Sequence, residues 1–252
     1  LDTTFLDTLR ILRNKSAHPS GHTPSPEEAR FIFFETISRF LSRPILSTTQ
    51  LVDEIIARLG NANFFPAAVT SEMQTVVTEE IASLHAEAIP QLIAKLLTAV
   101  TSTDANVVKN ARFFIIGLAL LNSTESKNAI QTKLLNARAD DHLYATLVLE
   151  VLSANGSLII GLSPTCISRI RATLSNQIDE VTVALSESKL VHPLHTLKSI
   201  AECMPEAAFL ASFTPELERC FIKRPYSATL ISLFPARPNA FALYYPVILG
   251  NA

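Results

Sequence analysis

Ser25-Pro26-Glu27-Glu28 is a complete helix start, and the chain repeats signals of this kind along most of its length. Ser25 stands at the N-cap and Pro26 at the first helical position, where the missing N–H has no partner to lose. Glu28, three residues on, closes a capping box. Behind it Ala29, Ile32, Phe33, Thr36, Ile37, Phe40 and Leu41 recur at helical spacing as far as Pro44. Ser47-Thr48-Thr49-Gln50 is a second box, followed by Leu51, Ile55, Ile56 and Leu59, with Gly60 to end the helix. Ser71 and Gln74 open another segment, Pro90 begins or kinks the next, and Asp104 caps a long one running to Leu121. Further helices are expected at 126–137, 140–154, 164–186 and 189–203, with short starts at Thr214-Pro215-Glu216, Tyr226 and Pro238. No strand pattern competes with them. The expected fold is all-α.

From Pro90 onward, apolar helices alternate with short polar turns, a rhythm that suits helix pairs stacked as an irregular solenoid. Asp104 followed by Val107-Val108 and Ala111 faintly resembles one helix of a HEAT-type repeat. No second copy recurs at a fixed period, so the expectation is an irregular helical-repeat (HEAT-like) or bundle region. Apolar residues make up 48% of the 252 and charged residues only 17%. A chain so lean in charge is expected to hide surface against a partner or against more polypeptide. The net charge of −2 argues against a surface that coats nucleic acid, yet leaves room for a small basic site.

Phe113 to Leu121 is the greasiest run, and it is too short to cross a bilayer and is flanked by Lys109, Arg112 and Lys127. No signal peptide is visible, so the expected location is cytoplasmic, without membrane association. Cys166, Cys203 and Cys220 are odd in number and widely spaced, which argues against a disulfide framework or a zinc site. Asn14-Lys15-Ser16, Asn122-Ser123-Thr124 and Asn155-Gly156-Ser157 match glycosylation sequons and are read as coincidence. Leu1 is not a methionine, and the chain stops just after the apolar stretch Phe241 to Leu249, so it reads as a piece of a longer protein.

One stretch carries chemistry. Arg13-Asn14-Lys15-Ser16-Ala17-His18 puts a permanent cation, a carboxamide and an imidazole on or beside one helical turn before Pro19. Arg13 offers a planar fork of donors for a phosphate. His18 titrates near neutral pH and can take a proton from a 2′-hydroxyl or give one to a leaving oxygen. Asn14 can orient either group. Together they would support metal-independent cleavage of RNA by in-line attack, leaving a cyclic phosphate. The plainer reading is that Arg13 and Lys15 complement a helix C-terminus while His18 caps a carbonyl.

Other candidates are weaker. His192-Pro193-Leu194-His195 has no acidic or Cys neighbour and reads as a helix start with surface histidines. Asp140-Asp141-His142 is expected to cap the helix at 140–154, and Asp53-Glu54, Glu79-Glu80 and Asp179-Glu180 to lie on solvated faces. Phe31, Phe33, Phe34 and Phe40 are expected in a core. No glycine-rich phosphate loop, nucleophile elbow or catalytic cysteine environment is present.

The flanks of the motif, Leu9-Arg10-Ile11-Leu12 before it and Pro24-Ser25-Pro26-Glu27-Glu28-Ala29 after it, carry a resemblance. Over residues 5–42 the chain is similar to the end of a HEPN (higher eukaryotes and prokaryotes nucleotide-binding) domain, in which an Arg, usually followed by Asn, shortly precedes a His. The resemblance implies a homodimerising helical bundle of a defence or toxin system, with two motifs in one RNA-cleaving cleft. It implies that Arg13 and His18 are catalytic and that Asn14 supports them. It departs from the family in having only about twelve residues before the motif. On this reading residues 1–44 are HEPN-like and 45–252 form the helical repeat or bundle region, either separate from the first or one continuous domain with it. The expected function is a metal-independent endoribonuclease without cofactor or bound metal, taking RNA at Arg13 and His18 but not DNA. It would act as a homodimer or with a protein partner. The alternative is a non-catalytic α-helical scaffold that binds a protein or the rest of a longer chain.

Overall fold

Ser25 and Glu28 make the capping box in full: Ser25 Oγ accepts from the Glu28 N–H at 3.1 Å, and the Ser25 N–H donates to Glu28 Oε2 at 2.9 Å. The helix so started, α1, is Pro26–Thr36. The computed structural model describes residues 7, 10–11, 25–36, 47–65, 70–179, 187–223, 227–235, 237–240, 242 and 245, with backbone alone at 32–36 and 187–192. The chain divides into two compact units, Leu1–Ser47 and Thr48–Ala252. In the first, Phe31 is 52% exposed, so this ring is not the core residue that its helical spacing suggested. The side chains of Phe33 and Phe34, and all of Phe40, lie outside the described residues.

The second unit holds α2 (Thr48–Arg58), α3 (Thr70–Ile81), α4 (Ile89–Ala99) and α5 (Ala105–Leu121). α6 begins as Thr124–Ile130, passes through a π-helical turn at Gln131–Leu135 and ends as Asn136–Arg138. There follow α7 (Ala145–Ala154), α8 (Pro164–Asp179), α9 (Glu187–Cys203), α10 (Glu206–Lys223) and the short α11 (Ala228–Ile231). No strand occurs among the described residues, so the fold is all-α.

Alternate helices share a layer. α2, α4 and α6 pack in series, α8 packs on α10, and hydrogen bonds from Arg169 and Thr173 on α8 to the carbonyls of Asn136 and Ala139 join α6 to α8. The second layer runs α3, α5, α7, α9, α11, each against the next. First-layer helices start at 48, 89, 124, 164 and 206, so successive starts lie 41, 35, 40 and 42 residues apart. The uneven intervals explain why no fixed period is legible in the sequence.

Composition sets how far each helix is enclosed, in either layer. α7 buries Leu147, Val148, Leu149, Val151 and Leu152, and α5 buries an unbroken run from Phe114 to Ala119. Helices apolar around most of their girth belong between neighbours. α2 instead buries only Val52 and Ile55 and leaves a polar face. Gly117 lets α5 approach α3 closely: a Cβ there would sit 2.6 Å from Val77 Cγ2 and 3.0 Å from the Met73 carbonyl oxygen.

Side-chain donors tie each helix pair to the one before. Asn110 on α5 donates to the carbonyls of Leu59 and Asn61 beyond α2. Tyr144 donates to Leu97 O on α4 at 3.1 Å, and Thr196 on α9 to Leu149 O on α7 at 2.8 Å. Arg237 reaches the carbonyls of Ala201 and Met204 at the end of α9. Each such bond contributes about 0.5–1.5 kcal/mol net, and several take up carbonyls that a helix end would otherwise leave open.

Three sequence expectations change. Asp140 and Asp141 do not cap a helix at 140; α7 starts at Ala145, while Asp141 Oδ1 accepts from Leu143 N–H in the preceding turn and Asp140 pairs with Arg169. Pro215 does not open a helix but lies inside α10. Having no N–H, Pro215 cannot donate to the carbonyl of Ala211, and both residues are exposed. Pro193 likewise lies inside α9 rather than near its start.

Candidate binding groove

The candidate site lies between α4 and α6, where small side chains leave a gap between two packed first-layer helices. A 3₁₀ turn at Ala86–Ala88 leads into α4, with Pro90 in the first helical turn. Across from it, Ser123 caps α6 through its hydroxyl, which accepts from the Ser126 N–H at 3.1 Å. Between these two helix starts is a groove of about 550 Å³ lined by Glu87, Pro90, Glu125, Asn128, Thr132 and Lys133, with Ala86 and Ala129 leaving its space open. This volume falls in the range of sites that hold a small molecule or a few side chains.

The π-helical turn shapes one wall. Buried positions in α6 run Ser126, Ala129, Ile130 and then Leu134 and Leu135, a drift that a straight α-helix would turn out of the core. The wider turn rotates the helix so that both leucines stay buried while Thr132 and Lys133 face the groove. Gln131 fixes the same turn on its other side, donating to Leu158 O at 2.8 Å and Ile160 O at 3.0 Å.

Many charges elsewhere on this unit are spent in ion pairs: Arg58 with Glu80, Lys95 with Asp53, Arg112 with Glu150, Arg171 with Glu216, Arg219 with Asp179. Glu87, Glu125 and Lys133 make no ion pair among the described residues. The groove therefore offers two carboxylates at the helix starts, an ammonium farther along α6 and an apolar floor. Such a surface can hold a peptide through charge and shape. It does not assemble a nucleophile with a base.

Arg13, Asn14 and His18 lie outside the described residues, as does the His192 side chain. His195 is exposed on α9. Cys166 and Cys220 are buried and Cys203 is exposed, all three as free thiols. Burial pushes the Cys220 thiol up to about 12 and raises that of Cys166. Cys203 is raised too, first by partial burial and then by Glu202. Little thiolate is present near neutral pH, so none of the three is primed as a nucleophile. Among the described residues no group of three His, Cys, Asp or Glu side chains gathers to hold a metal, and no helix is long and apolar enough to cross a membrane.

Sequence reasoning did not find the groove. Ala86, Pro90 and Ala129 carry no motif, and they become a site only because α4 and α6, more than thirty residues apart in start, stack side by side. No protein-family model matches the chain, and neither a curated protein nor a solved structure matches it either.

Proposed function

We propose that the chain is a non-catalytic α-helical scaffold, an irregular HEAT-like repeat whose α4–α6 groove receives a short segment of a partner protein. The observation that carries this reading is the groove itself, with three charges that make no ion pair among the described residues around an apolar floor. Its lining favours a segment with a basic side chain for Glu87 and Glu125, a small apolar residue beside it, and an acidic group toward Lys133. The alternating two-layer packing supports the reading, because stacked helix pairs offer extended surfaces for other chains. Selection of displayed random peptides on the wild-type chain tests it. Enriched peptides should share a basic residue next to an apolar one and should be lost on Glu87→Lys/Glu125→Lys. Enrichment that survives both reversals would refute the groove as the site.

A second reading rests on a separate observation, the Arg13-Asn14-Lys15-Ser16-Ala17-His18 sequence and its flanks. It makes the chain a cytoplasmic HEPN-type endoribonuclease, dimeric, with Arg13 and His18 acting on RNA and Asn14 in support. Incubation with mixed RNA in EDTA, beside Arg13→Ala and His18→Ala, tests it. Cleavage with cyclic-phosphate ends that both variants lose would establish the nuclease.

A further inference from the structure

Asn155-Gly156-Ser157, which reads as a sequon, is a joint between three helix pairs. Asn155 ends α7 in an extended conformation. Its Nδ2 donates to Ala119 O of α5 at 2.8 Å and to Asn122 Oδ1 at 3.0 Å, and its Oδ1 accepts from the Ser157 N–H at 3.1 Å and the Ser157 hydroxyl at 2.6 Å. The Gly156 N–H donates to Ser199 Oγ on α9 at 2.8 Å. No other residue fits at 156: a Cβ would lie 2.1 Å from the Ser199 carbonyl oxygen. The fold thus demands glycine after an asparagine whose carboxamide it also needs.

That dipeptide is chemically unstable once released. With no Cβ to block the approach, the Gly156 backbone nitrogen can lose its proton to base and attack Asn155 Cγ. A C–N bond forms, the Cγ–Nδ2 bond breaks, and ammonia leaves. Water then opens the cyclic imide at either carbonyl to give aspartate or isoaspartate. In the closed joint the nitrogen is tied to Ser199 and the carboxamide is held by four hydrogen bonds, so neither reacting group is free. We propose that Asn155 is a fold-gated modification site: opening of the joint between the α7–α8 turn and α9 lets this cyclisation proceed, and the product prevents the joint from closing again. An aspartate would set its oxygens against Ala119 O and Asn122 Oδ1, acceptor against acceptor, and isoaspartate would lengthen the backbone inside a buried turn. The result is a one-way loosening of the second layer.

The full chain is incubated at mildly alkaline pH, beside a synthetic peptide of residues 151–160, and the exchange of NH₂ for OH at Asn155 is followed by peptide mass mapping. The folded wild type should react far more slowly than the peptide. Ser199→Ala, which frees the Gly156 nitrogen, should react several-fold faster than wild type while keeping its helical circular dichroism. Asn122→Gly, which keeps the left-handed backbone at that position and removes one acceptor, serves the same purpose should Ser199→Ala fail to fold. Modified wild-type chains should melt at a lower temperature than unmodified ones. Wild type reacting as fast as the peptide, or a folded variant reacting no faster than wild type, would overturn the proposal.

Discussion

The side-chain amide of Asn110 donates to the carbonyl oxygens of both Leu59 and Asn61, at 2.8 Å each, and so fastens α5 to the turn that follows α2. Asn110 is fully buried, and its own Oδ1 has no hydrogen-bond partner among the described residues, which offsets part of the gain. Asn110→Ala removes two donors and leaves two carbonyls short. We expect it to lower stability by about 1–3 kcal/mol in urea denaturation. An unchanged midpoint would show that water replaces the amide without loss.

Two glycines separate close packing from open space. Gly117→Ala drives a methyl group into Val77 and the Met73 carbonyl, and overpacking of this kind costs about 1–3 kcal/mol. Gly60→Ala meets nothing within 4 Å, so it should be neutral or stabilising by up to about 1 kcal/mol through the unfolded chain. Thermal melts should fall for Gly117→Ala and not for Gly60→Ala, and equal losses would contradict the α3–α5 contact.

The Glu216 carboxylate is buried on α10 and takes its bonds from α8: Arg171 Nε at 3.2 and 3.3 Å and Ser175 Oγ at 3.2 Å. Arg171→Ala strands that charge and should destabilise by about 2–4 kcal/mol, tempered because Arg171 is itself one-third exposed. Adding Glu216→Leu removes the stranded charge and should restore much of the loss. A double variant no better than Arg171→Ala alone would show that packing, not charge, sets the penalty.

Thiol labelling reads the core directly. Burial raises all three thiols, Cys220 to about 12, but Cys203 alone is exposed. A raised thiol carries less thiolate, so iodoacetamide at mildly alkaline pH should modify Cys203 first and reach Cys220 only on unfolding, each rate rising with pH. Native Cys220 labelled at the rate of Cys203 would contradict its burial on α10.

Helix starts were legible because they are local. Ser25 with Glu28 and Asp104 with the N–H groups of Asn106 and Val107 make the caps their spacing implies. Signals that depend on neighbours misled. Asp140 and Asp141 look like a cap, but Arg169 and Arg138 draw them into a turn, and Pro215 looks like a start although it lies on an exposed face inside α10. The groove depends on which helices stack, which no single helix encodes. Arg13, Asn14 and His18, the residues with the clearest chemistry in the sequence, stand outside the described structure, so the two functional readings rest on different parts of the chain.

Calorimetric titration of the peptide most enriched on the wild-type chain, into wild type and into Glu87→Lys/Glu125→Lys, tests the scaffold account most directly. Two reversed charges facing a basic side chain should weaken binding by about tenfold or more, about 1.4 kcal/mol, with the helical signal of the variant unchanged. Equal affinity for the two proteins would contradict the account and place the partner elsewhere.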